Sequence, residues 1–183
     1  MQLKEMVEKK IWLIALVVLN AVCLFPSAAV QAHLWSGHVW QSTALNPLYF
    51  YQGTMTASWT TAVSSWNNVA GLQSGDFART YDPEGMYFTV WEDDYDYVEW
   101  YGWTDGYATG GYWVYGTVEI NTYYCTTSDI YRCVSIHELG HIWGLDGEPT
   151  VEHSIMNADQ VIAHNWVWTG PQTSDIDNVN SIY

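Results

Sequence analysis

An α+β fold is expected from the order of patterns along the 183-residue chain. A helical periodicity comes first, a block of short aromatic and β-branched runs follows, and two further helical patterns close the chain.

Residues 1–32 stand apart from that order. Lys4, Lys9 and Lys10 precede an uncharged run from Ile11 to Phe25, which is followed by "PSAAVQA". Val30 and Ala32 fit the small residues required three and one positions before a signal-peptidase cut. The apolar run of about fifteen residues is short of the roughly 20 that a spanning helix needs. The reading is a signal peptide over 1–32 and one domain over 33–183. Cys23, preceded by Val22, does not form a lipoprotein motif.

The first helix is expected within "MTASWTTAVSSWNNVAG", where Trp59, Val63, Trp66 and Val69/Ala70 recur at helical spacing. Strands are expected at "MYFTVW" (86–91), "VEWYGW" (98–103) and "YWVYGTVEI" (112–120), each bounded by Gly or Asp. A second helix should run from about Ser128 to Trp143 and stop at Gly144. "TSDIDNVNSIY" closes the chain as a third. Ser174 and Asp177 there have capping-box spacing, and Ile176, Val179 and Tyr183 share one face.

Charge excludes one class of partner. Beyond position 32 the only basic side chains are Arg79 and Arg132, whereas all but Glu5 and Glu8 of the 20 acidic residues lie there. Nucleic-acid binding rewards the opposite balance. Cysteine usage agrees with export. Cys125 and Cys133 remain after the leader, and two cysteines in an exported chain are expected to pair. Two free buried thiols are the plain alternative.

The chemistry concentrates in "HELGHIWGLDGE", residues 137–148. His137 and His141 are four apart and project from one helix face. Two imidazoles so placed can bind one tetrahedral zinc. Glu138 lies beside that face, placed as a general base toward water whose acidity a metal raises. The plain alternative is a helix with two partly buried histidines and an exposed glutamate. Gly144, three residues after His141, suits a sharp exit with positive φ. "SIMN", containing Met156, follows a short loop later.

HELGHxxG followed by a nearby SIM resembles the metzincins, in particular the secreted matrixin-like metallopeptidases. "AVSSWNNVAGL" resembles that family's first long helix, the EINT strand the one before its active-site helix, and "SDIDNVNSIY" its last helix. The resemblance covers most of 33–183. It implies an α+β domain with a twisted mixed sheet, a horizontal substrate cleft, and zinc-dependent peptide-bond hydrolysis. It also implies that Met156 sits in a turn beneath the zinc, packing rather than ligating. A lone Met is more often a core gap-filler.

The chain departs from the family pattern HExxHxxGxxH at Gly147, which has no side chain to ligate. Counting eight back from Met156 gives Glu148 as the third ligand. His153 and Asp146 are the other candidates, ranked after it. A His–His–Glu set is ordinary in zinc hydrolases. Matrixin-like domains often carry structural calcium, which makes Asp93, Asp94 and Asp96 of "EDDYDY" candidate calcium ligands. The spacing is not that of an EF-hand, and a solvated acidic loop is the plain alternative. "YGWTDGYATGGYWVYG" has the glycines and aromatics of a cleft-edge strand, to which an extended protein or peptide substrate could add.

Two functions are therefore carried forward. One is a secreted, monomeric zinc endopeptidase with Glu138 as base. The other is a degenerate metzincin that binds peptide or carbohydrate without chemistry. All but one of the 12 tryptophans lie beyond residue 32 and would supply such a surface.

Overall fold

The computed structural model describes residue 40 and residues 46–69, 72, 75–147 and 151–183. The expected signal segment and the candidate ligand Glu148 lie outside the described residues. Among the described residues, no helix is long and apolar enough to cross a membrane.

Five strands form one sheet: β1 (Leu48–Gln52), β2 (Ala78–Arg79), β3 (Phe88–Asp93), β4 (Gly102–Thr109) and β5 (Tyr112–Asn121). Their spatial order is β2-β1-β3-β5-β4. β1 runs parallel to β2 and β3, and β3 runs parallel to β5. β4 is antiparallel to β5 and forms one edge. The helices are α1 (Thr56–Asn67), α2 (Ser128–Ile142), α3 (Ala158–Ala163) and α4 (Thr173–Ile182). The architecture is thus mixed α and β, with a mostly parallel sheet.

β5 shows how the faces divide. Val118 and Ile120 are buried, whereas Thr117 and Glu119 between them are partly exposed. α2 lies over the buried face at Gly116, where an added Cβ would stand 3.1 Å from Ile142 Cδ1. α1 packs on α2 through Trp66, whose indole N–H donates to the Ile136 carbonyl at 2.9 Å. Trp59, Trp66, Phe88, Val90, Leu139 and Ile142 fill the space between helices and sheet.

α1 starts without a capping side chain of its own. Glu92 of β3 serves instead. Its carboxylate accepts from the Thr54 amide and hydroxyl, the Met55 amide, and the Tyr51 and Tyr131 hydroxyls. Burial alone would raise the Glu92 pKa, but these donors prevail and lower it. A carboxylate at a helix N-terminus is also favoured by the macrodipole.

Three expectations need correction. Residues 98–101 are not strand, and β4 begins at Gly102. The Asn121 side chain holds that stretch instead, donating to the Trp100 carbonyl (3.2 Å) and accepting from the Tyr95 amide (3.2 Å). At α4 the capping box is Gln172 with Asp175, two residues earlier than Ser174 with Asp177. Finally, Cys125 and Cys133 are unpaired. The Cys125 thiol points to the Tyr101 carbonyl, whereas Cys133 sits between the carbonyls of Trp166 and Trp168 at 2.9 and 3.0 Å. Each thiol has its own acceptor, and burial pushes both upward in pKa, Cys133 to about 11. β1, β2 and α3 are further elements with no counterpart in the sequence expectations. β1, "LYFYQ", is a short apolar run whose period cannot distinguish strand from helix.

Candidate metal centre

The site is assembled on α2. Thr127 caps its start, accepting from the Ile130 amide at 3.3 Å. Its other end is a complete Schellman turn. The Gly144 amide donates to the His141 carbonyl (2.8 Å), and the Leu145 amide to the Gly140 carbonyl (3.0 Å). Gly144 has φ of 89°, which favours glycine. That turn swings the Leu145 carbonyl back onto His141 Nδ1, at 2.7 Å.

His137 is held the same way from another part of the chain. Its Nδ1 lies 2.8 Å from the carbonyl of Ile155, the middle residue of SIM. A carbonyl only accepts, so both Nδ1 atoms carry the proton. Burial depresses the pKa of His137 to about 4 and of His141 to about 3, the latter also through its neighbour, so both rings are neutral at pH 7. Each Nε2 is then a bare lone pair. The two Nε2 atoms face each other at 3.1 Å.

Two acceptors at that distance repel unless a cation lies between them. Two nitrogens on one tetrahedral zinc, each about 2.0–2.1 Å from it, stand roughly 3.3 Å apart. The carbonyl partners behind both rings are the outer-shell contacts that fix a metal-binding tautomer. The spacing of this pair therefore fits two of the donors that zinc takes.

Glu138 is fully buried against β4. Its Oε2 accepts from the Thr104 hydroxyl at 2.6 Å, and its Oε1 has no hydrogen-bond partner. Burial raises its pKa to about 8, against the Thr104 hydrogen bond. Gly102 makes this approach possible, because a Cβ there would come 2.5 Å from Glu138 Oε1. Glycine within a strand commonly marks such a close approach. Thr104 left no comparable mark in the sequence.

Met156 is buried beneath the helix. A Cβ on Gly140 would meet its sulfur at 2.4 Å, so glycine at 140 and methionine at 156 are matched shapes. The turn that carries Met156 is anchored by Asp175 of α4, which the sequence reading did not single out. Asp175 accepts from the Ser154 hydroxyl (2.6 Å), the Ile155 amide (3.0 Å) and the Gln172 amide (2.7 Å).

The structure thus brings His137 and His141 together beside the turn that carries Met156, while the Glu138 carboxylate turns to Thr104 of β4. Among the described residues, no third His, Cys, Asp or Glu completes a metal-binding group with the pair. Asp146 has an enclosed Oδ1 without a hydrogen-bond partner, and burial raises its pKa. His153 is exposed, with φ of 60°, and its ring lies beside His164 rather than the pair. Asp93, Asp94 and Asp96 are exposed. Asp93 and Asp94 turn onto the amides of Asp94 and Asp96 at 2.8 and 3.0 Å, and the three do not gather into a cation-binding group. The chain matches no family model, and a search of curated proteins finds no match.

Proposed function

We propose that the protein is a secreted, zinc-dependent endopeptidase of metzincin type, active from His33 onward. The observation that carries this is the pair of Nε2 lone pairs 3.1 Å apart, each backed by a carbonyl on Nδ1. His137 and His141 would hold the metal, with a third donor from the segment around 146–148. Glu148 is favoured by its distance from Met156, and Asp146 is the alternative because of its unpartnered oxygen. When bound, zinc supplies Lewis-acid polarisation of the scissile carbonyl.

The remaining roles belong to the chain's own residues. Glu138, with its pKa about 8, lies near neutrality, where a carboxyl group can both take a proton from water and return it to the leaving amine. Thr104 orients it through Oε2. Substrate admission requires that carboxylate to part from Thr104, since Glu138 is fully enclosed. Among the described residues β4 pairs only with β5, so its other edge has backbone groups for an extended peptide. The second reading, a non-catalytic binding protein, is favoured by one observation: both histidines and Glu138 are almost entirely closed to solvent.

The test is hydrolysis of casein by the purified protein with zinc and calcium present, beside Glu138→Ala. Cleavage by the wild type alone is expected, with zinc still bound by the variant. Equal turnover by the variant removes Glu138 from the mechanism. No cleavage by either, with zinc bound, transfers the assignment to the binding protein.

A further inference from the structure

The face of the sheet opposite α2 holds a second candidate site. Residues 103, 105 and 107 of β4 alternate with Gly102 and Thr104, which turn toward α2. Across the ladder, Trp103 is paired with Glu119, Asp105 with Thr117, and Tyr107 with Tyr115. These six residues and Gly106 line a half-open cavity of about 290 Å³. That volume is at the lower end for small-ligand pockets.

Two carboxylates and three aromatic rings meet there, and no lysine or arginine of the described residues is in the lining. Burial raises the Glu119 pKa, and the charge of Asp105 raises it further. Among the described residues neither arginine supplies relief, and Arg79 and Arg132 are the only Lys or Arg there. Arg132 is paired with Asp129 at 3.0 Å, and the Arg79 guanidinium lies over the rings of Tyr51 and Tyr81. The floor is ordered. The Tyr115 hydroxyl is 2.6 Å from Thr89 Oγ1, which also accepts from the Trp91 indole at 3.1 Å. On the same strand row Glu119 lies between Trp91 and Trp103.

We infer that this cavity binds an organic cation, a guanidinium or alkylammonium group, between the Asp105 and Glu119 carboxylates and the rings of Trp103, Tyr107 and Tyr115. Both parts of the chemistry select for it. A like-charged carboxylate pair is relieved by a positive charge, and a neutral sugar leaves the repulsion in place. Aromatic faces attract a weakly hydrated cation, Arg above all. A hard metal ion would have to exchange water for ring carbons on three sides, and calcium takes six to eight oxygens. The formal charge of −15 steers cations toward the whole molecule. This site lies on the other face of the sheet from His137 and His141, so it does not depend on the peptidase reading.

The experiment is isothermal titration of the purified protein, at low salt, with N-acetyl-arginine methylamide and with its uncharged citrulline counterpart. Lysine methylamide, spermidine, calcium and a neutral hexasaccharide are run in parallel. Saturable binding of the arginine or lysine compound, absent for citrulline, is expected. Glu119→Gln and Trp103→Leu should each weaken it at least tenfold, with unchanged circular dichroism. A response to spermidine alone keeps the organic-cation site and assigns it to free polyamines. A response to the amino-acid amides assigns it to basic polypeptide side chains. Equal binding of citrulline, binding of calcium or the hexasaccharide only, no binding at all, or full affinity in Glu119→Gln overturns the inference.

Discussion

Gly144 shows how much one residue decides at the candidate metal centre. Its positive φ closes the Schellman turn, and the turn delivers the Leu145 carbonyl to His141 Nδ1. The same pattern that ends the helix therefore fixes a ring tautomer. That glycine was legible in the sequence, because a helix stop wants it; its effect on His141 was not, because that contact depends on the path after the stop. Residue 147 poses the opposite case, since glycine there has no side chain to offer the proposed metal. Alanine replacement with measurement of zinc content separates the substitutes. Glu148→Ala should lower zinc occupancy more than Asp146→Ala or His153→Ala. The largest loss in Asp146→Ala would move the assignment to the residue whose buried oxygen lacks a partner.

Between elements, the link that matters runs from α4 to α2 through the SIM turn. Asp175 is buried and completely engaged with Ser154, Ile155 and the start of its own helix. The Ile155 carbonyl then holds His137. Asp175→Asn keeps the shape but presents an amide N–H₂ where one of those donors now finds an oxygen. The expected cost is about 1–3 kcal/mol of stability, the penalty for a buried group left unsatisfied. Zinc affinity should fall about 10-fold to 100-fold, as for other outer-shell losses. Thermal melting and zinc titration check both, and a destabilised variant with unchanged zinc affinity would separate Asp175 from the metal centre. Helical periodicity found α4 correctly, but it could not choose between Ser174 with Asp177 and Gln172 with Asp175. That choice is made by Ser154 and Ile155, which approach from 20 residues away or more. Strand β4 shifted for a similar reason: Asn121 captures residues 95–101 and leaves the ladder to begin at Gly102.

Across the whole molecule, burying three titratable groups in one place sets a pH dependence. An unfolded histidine binds a proton near pH 6.5, whereas folded His137 and His141 do so only at about 4 and 3. Stability is therefore lost as pH falls below 6.5. Glu138 works in the other direction. Its folded pKa is about 8 against 4.5 unfolded, so its contribution is lost as pH rises through that interval. Metal-free protein should have its highest Tm near pH 6.5 as far as these groups decide it. Glu138→Gln should remove the alkaline decline while keeping the acidic one; a decline unchanged in that variant would show that Glu138 is not the buried acid. Such coupling could not be read from HELGH, where spacing set Glu138 beside the histidine face and said nothing of its burial. Spacing alone placed His137 and His141 on one face and put glycine at the helix stop, because those follow from local geometry; it did not find β1, which precedes α1. Burial of Glu138 under Thr104, the separate acceptors of Cys125 and Cys133, and the gathering of Asp105 and Glu119 on the far face came only with the tertiary structure. Each depends on which segments meet across the sheet, and contact between distant segments leaves no period in the chain.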